Sequence, residues 1–160
     1  MDLITHPVER SLKMLRSGGV ILYPTDTIWG IGCDATNAAA IQRIYQLKKR
    51  EEKKSMIILV DNETMIGEYV SHPSKKILSF LSQQKRPTTA IFEKAINLPE
   101  IIISQDRTIA IRITKDEFCR SLIQQLKKPL ISTSANISGE PYPQSFSEVS
   151  EQIKKGVDYI

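Results

Sequence analysis

Three groups of polar residues in this sequence have the types and spacing of a binding or reaction centre. Lys48, Arg50 and Lys54 fall in the basic stretch Lys48-Lys-Arg-Glu-Glu-Lys-Lys54. A lysine ammonium is a mobile point charge suited to polyphosphate, whereas an arginine offers a planar fork that meets a carboxylate or phosphate bidentately. A pocket holding both can take one substrate by a phosphate tail and another by a carboxylate. The same stretch also fits a solvated helix end, where cations favour the C-terminal dipole. Thr25, Asp26 and Thr27 form the second group. A threonine hydroxyl both donates and accepts, so it orients a substrate hydroxyl or carboxylate without adding charge; Asp26 either meets a cation or closes an Asx-turn. Ser132, Ser134 and Asn136 are the third group, hydroxyls and an amide that either cradle phosphate or ribose or cap a tight turn. Arg112 stands apart inside an isoleucine-rich run, a costly place for a guanidinium without an anionic or carboxylate partner.

Elements must hold these groups. Thr5 can cap a first helix with Pro7 in its first turn, Val8, Leu12 and Leu15 forming one stripe and Gly18 and Gly19 ending it. Val20 to Tyr23 predicts a buried strand that stops at Pro24. From Ile28 to Gly32 the two glycines predict backbone turning closely around something. Asp34, Thr36 or Asn37 then starts a helix whose Ile41, Ile44, Tyr45 and Lys48 share a face, so Lys48 emerges near its end. Met56 to Val60 is a second strand, and residues 62 to 84 predict two short helices. A strand follows the Pro turn of Lys85 to Phe92. Ile109, Ile111 and Ile113 alternate with Ala110 and Arg112 in another. Thr114 with Glu117 and Ser145 with Glu148 have the spacing of capping boxes. Leu130 onward is a short strand entering the hydroxyl-rich turn, Gly156 reads as a C-cap, and Val157 to Ile160 begins one more strand. Interleaved strands and helices define an α/β sheet whose strand directions this pattern leaves open.

At 160 residues with 41% apolar and 25% charged side chains, the chain is long enough for an ordinary core and needs no metal or disulfide to hold it. No apolar run reaches the ~20 residues of a membrane span, and the N-terminus lacks a targeting pattern, so a cytoplasmic location is expected. Cys33 and Cys119 form no ligand pair, and His6 and His72 have no metal spacing, so no protein metal site is expected. A net charge of +4 and a pI near 9.1 favour acidic ligands or transient RNA contact. The P-loop, dinucleotide and nucleophile-elbow motifs are absent. Catalysis, if present, works by positioning and charge stabilisation.

Tyr23-Pro-Thr-Asp-Thr-Ile-Trp-Gly-Ile-Gly-Cys33, the stretch from Leu47 through the basic block to Val60, and Lys128-Pro-Leu-Ile-Ser-Thr-Ser-Ala-Asn-Ile-Ser-Gly139 together resemble the YrdC-type family of threonylcarbamoyl-adenylate synthases, in motif order and distance. The resemblance spans about residues 7 to 160. It implies an open, twisted, mixed α/β sheet with flanking helices, one domain over 1–160, and a positively charged cavity. It also implies an enzyme joining L-threonine, bicarbonate or CO2, and ATP into L-threonylcarbamoyladenylate and pyrophosphate, with Mg2+ on the phosphates, for N6-threonylcarbamoyladenosine at tRNA position 37. The product would pass to the tRNA threonylcarbamoyl transferase machinery, with weak tRNA binding as a lesser expectation.

By that resemblance Lys48, Arg50 and Lys54 are the catalytic set, with Lys48 and Lys54 on the ATP phosphates. Thr25, Arg50, Thr89 and Arg112 bind substrate, and Ser132, Ser134 and Asn136 hold the nucleotide. Lys85-Arg-Pro-Thr-Thr89 replaces the family's Pro-Gly-Pro turn. Family members normally continue beyond the equivalent of Gly156–Ile160 with a further strand and a Ser-Thr segment; the resemblance leaves open a truncated chain, a naturally short protein lacking that segment, or a pocket completed by a partner. The alternatives are a noncatalytic RNA-binding or tRNA-modification accessory protein, and a related carbamoyl-adenylate enzyme with another acceptor. Few aromatics stand ready to stack bases, which counts against the first.

Overall fold

The computed structural model describes residues 5–25 and 28–160. Its short apolar runs, rich in β-branched residues, become β1 (Ile21–Pro24), β2 (Trp29–Asp34), β3 (Ile57–Val60), β4 (Thr89–Phe92), β5 (Ile109–Ile113) and β6 (Leu130–Ser134). They form one six-stranded sheet in the order β1-β2-β6-β3-β5-β4. The β3–β5 pair is parallel and the other neighbours are antiparallel, so the sheet is mixed.

Register decides which side chains meet. Directly paired residues share a face, as do residues two apart on one strand. Thr89 pairs with Arg112, Arg112 with Leu59, Leu59 with Leu130, Ile57 with Ser132, Gly32 with Ser132 and Gly30 with Ser134. Thr89, Arg112, Ser132 and Ser134 are thereby gathered onto one face. The opposite face carries Ile31, Ile58, Ile111 and Ile131, all fully buried.

Helices α1 (Thr5–Arg16), α2 (Ala38–Lys48), α3 (Glu63–Tyr69), α4 (Lys75–Gln83), α5 (Glu117–Leu126) and α6 (Glu151–Gly156) complete the fold. Helix α1 buries Val8, Leu12 and Leu15 and packs on α5. Asn37 starts α2, its side chain accepting from Ala40 N at 3.0 Å, while Asp34 is instead buried under Thr36 and Lys128. The expected face Ile41, Ile44, Tyr45 and Lys48 is buried in full. No helix among the described residues is long and apolar enough to cross a membrane.

Several local expectations are corrected. Residues 29–34 are a strand rather than a tight turn, because the glycines answer a neighbour across the sheet. The Tyr23 ring lies over them, and a Cβ on Gly32 would sit 2.7 Å from Ile131 O and 3.0 Å from that ring. Asp116, not Thr114, caps α5, accepting from Cys119 N at 2.8 Å; Thr114 Oγ1 accepts from Asp116 N. Ser145 makes no side-chain cap, and Ser150 starts α6 by accepting from Ile153 N. Gly156 is the last residue of α6 rather than its cap, placed where its Cα packs against Leu47. Val157 to Ile160 contributes a bridge beside β1, where Leu22 N donates to Tyr159 O at 2.9 Å. The expected Thr5 cap and the Asp26 and Thr27 readings lie outside the described side chains.

Candidate functional site

A cavity of about 540 Å3 opens on the polar face of the sheet, within the range of small-molecule sites. Thr25, Ile28 and Gly30 line it from the β1–β2 side, Ser132, Thr133 and Ser134 from β6, and Ile57 and Leu59 from β3. Among the described residues, Arg50, Arg112, Lys85 and Lys115 supply four cations to the lining against one carboxylate, Asp116. Asp116 is already engaged as the cap of α5, so the walls present a cationic surface to an anionic ligand.

Arg50 follows the left-handed Lys49 that ends α2. Its Nε donates to Lys54 O and its Nη2 to Ser55 O, each at 2.9 Å. These two main-chain bonds brace the guanidinium and leave the rest of its donor fork for a ligand. The Lys54 carbonyl thus does the bracing. Its ammonium is exposed and is not part of the lining. Thr25 Oγ1 donates to Ile28 O at 2.6 Å and accepts from Ile28 N at 3.2 Å, closing the turn at the cavity edge.

Ser132 Oγ shares a 2.8 Å hydrogen bond with Tyr23 OH. Burial, followed by the nearby Cys119 thiol, pushes the Tyr23 phenol well above its usual pKa, so this bond stays between neutral groups. Arg112 Nε donates to Thr89 Oγ1 at 3.0 Å, an arrangement set by their direct cross-strand pairing. Thr89 thereby orients the guanidinium but does not itself line the cavity.

Lys48 and Asn136 sit behind the wall rather than on it. The Lys48 side chain is 1% exposed, and its Nζ donates to Ser134 O at 2.5 Å, Asn136 O at 2.8 Å and Asn136 Oδ1 at 3.2 Å. Asn136 Oδ1 also accepts from Ser134 Oγ, and Asn136 Nδ2 donates to Ile137 O and Glu140 O. The ammonium expected on a phosphate is therefore spent on the turn that presents Ser134. Burial first, then the Arg50 charge, lowers the Lys48 pKa from 10.5 to about 8, while its acceptors favour the charged form.

The structure therefore brings together Thr25, Arg50, Arg112, Ser132 and Ser134, with Lys48, Thr89 and Asn136 as their supports. Sequence reasoning missed Tyr23, Lys85, Lys115, Asp116 and Tyr142. Tyr142 had a local signal in its place between two prolines just after the serine-rich segment; Tyr23 had none, since its partner lies on β6.

The Sua5, YciO and YrdC family model, described as telomere recombination, matches residues 13–160. A threonylcarbamoyl-AMP synthase of Pseudoalteromonas translucida is 34% identical over 155 residues, covering 95% of this chain and 83% of the relative. Two solved structures of P. abyssi Sua5 superpose on 96% of this chain. The first, a double-alanine variant, has a TM-score of 0.88 at 25% identity, and the second, a complex with L-threonine, 0.86 at 26%. The chain spans less than half of those longer proteins, 47% and 45% respectively.

Proposed function

Because this chain belongs to the Sua5–YciO–YrdC family, we propose that it is a threonylcarbamoyl-AMP synthase acting in one YrdC-like unit over residues 1–160. The observation that carries this reading is the braced Arg50 facing the same cation-lined cavity as Thr25, Ser132 and Ser134. Arg50 takes the carboxylate of L-threonine by its free fork, and Thr25 orients the threonine hydroxyl. Ser132 and Ser134 hold the nucleotide. Arg112, fixed at Nε by Thr89, turns its remaining N–H groups to the phosphates. Mg2+ would arrive on the ATP phosphates as part of the substrate.

In the reaction the threonine amine, having lost a proton, adds to CO2 and forms an N-carboxylate. One of its oxygens attacks the α-phosphorus of ATP. The bond from that phosphorus to the oxygen bridging to the β-phosphate breaks, and the electron pair leaves with pyrophosphate. No side chain forms a covalent bond. The protein's contribution is placement and a preformed positive field around charge that builds on the phosphates. Lys48 and Asn136 act through the turn they hold, and Lys54 through the carbonyl that braces Arg50. The mixed anhydride product then serves the N6-threonylcarbamoylation of tRNA adenosine in the cytoplasm.

The test is pyrophosphate release from ATP with Mg2+ and bicarbonate, measured with and without L-threonine. Release is expected to require threonine and bicarbonate and to fall about 10- to 100-fold in Arg50→Ala, the loss of a charge-assisted contact. Release indifferent to threonine would overturn the reading.

A further inference from the structure

Tyr142 combines a held backbone with an unoccupied ring. It lines the cavity, is the one aromatic side chain in that lining among the described residues, and remains 66% exposed. Its ring makes no hydrogen bond and no ring contact among the described residues. The chain around it is fixed. Asn136 Nδ2 donates to Glu140 O at 2.7 Å, and Trp29 N donates to Pro143 O at 3.2 Å. Pro141 and Pro143 restrict φ on either side. A large ring that adds nothing to the core, on a segment clamped at both ends, offers a ligand a flat apolar surface at little entropic cost.

Its place in the sheet says which part of a ligand meets it. Pro143 is tied to the first residue of β2, whereas Arg112 stands on β5. Two strands, β6 and β3, separate β2 from β5, which puts the two flanks ~14 Å apart at the usual strand spacing. That is comparable to the reach of an extended nucleoside triphosphate. Arg112, Lys85 and Lys115 lie on the far flank, where phosphates would be neutralised, and the hydroxyls of Ser132 and Ser134 lie between.

We propose that Tyr142 is the stacking platform for the nucleobase of the triphosphate substrate and a specificity-determining residue for nucleotide over bare polyphosphate. This rests on the synthase reading. Stacking on a ring is indifferent to the pattern of base edges, so Tyr142 adds affinity for a base without selecting adenine. Other wall groups must do that selecting.

Titration calorimetry of the full chain with ATP, inorganic tripolyphosphate and L-threonine tests it, comparing wild type, Tyr142→Ala and Tyr142→Phe. Tyr142→Ala is expected to weaken ATP about ten-fold while leaving tripolyphosphate and threonine affinity unchanged. Tyr142→Phe, which keeps the ring, should bind ATP as wild type does. Retained threonine affinity reports an intact fold. Equal ATP affinity in wild type and Tyr142→Ala overturns the platform alone, as does an equal loss for tripolyphosphate. A wild-type chain that binds threonine but no ATP removes the synthase reading and this proposal with it.

Discussion

At the scale of single residues, the least obvious feature is an ammonium buried among carbonyls. Lys48 lowers its pKa to about 8 in the folded protein against 10.5 when unfolded. Below about pH 8 the proton is present in both states and the burial cost is felt in full. Between about 8 and 10.5 the folded chain gives the proton up while the unfolded chain keeps it, so this group's contribution to stability rises with pH across that window. The buried Cys33 thiol and Tyr23 phenol, both held above their ordinary pKa values chiefly by burial, act in the opposite sense in its upper part. Urea unfolding midpoints measured through the window should therefore gain with pH in wild type relative to Lys48→Met, and parallel profiles in the two chains would remove the assignment to Lys48. Lys48→Met should also weaken ATP binding, since the Ser134–Asn136 turn loses the group to which three acceptors point.

Among the elements, β2 is where substitution should discriminate most sharply. A Cβ on Gly32 meets the Ile131 carbonyl oxygen, part of a paired central strand that cannot retreat. Gly32→Ala should therefore destabilise by about 1–3 kcal/mol. Gly67, exposed inside α3, has nothing within 4 Å of the same added atom. Gly67→Ala should stabilise by about 0.5–1 kcal/mol. Chemical denaturation of the two variants beside wild type checks both signs.

The same elements show what a sequence makes legible. The isoleucine alternation of β5 and the Ile41–Lys48 face of α2 are local periodicities, and they were readable because burial follows them directly. The glycines of β2 were misread because the Tyr23 ring they admit belongs to the neighbouring strand. The Thr114 and Ser145 patterns satisfy a capping spacing, yet Asp116 and Ser150 make the bonds, since the helix start was set by packing further along. The basic block brings Arg50 to the cavity lining. It could not show that Lys48 points inward and Arg50 outward, a choice made by the left-handed turn at Lys49 and by the acceptors waiting beyond β6.

For the molecule as a whole, the cavity's four cations and the net charge of +4 predict an electrostatic share in nucleotide capture. Raising ionic strength from about 0.1 M to about 1 M shortens the screening length from ~10 Å to ~3 Å. The Kd for ATP should rise markedly over that range, whereas the Kd for L-threonine, a zwitterion held by short contacts, should change little. Calorimetric titrations at the two salt concentrations make the comparison, and parallel losses would tell against a field-driven contribution.

Strand order has a temporal side. The sixth strand in sequence is the third in space, so the β1–β2 hairpin and the β3–β5–β4 ribbon share no neighbour until Leu130–Ser134 arrives. Pairing Gly30 with Ser134 closes a very long stretch of chain, a slow kind of step in folding. During synthesis from the N-terminus, the residues of β2 and β3 are made before the strand that pairs with both, and an unpaired strand edge is open to a stray partner. The floor of the cavity is laid as the final seam. Arrival of β6 thus completes the cavity floor and covers both inner edges together, so a chain interrupted before Leu130 is expected to lack the cavity and to aggregate more readily than the full chain.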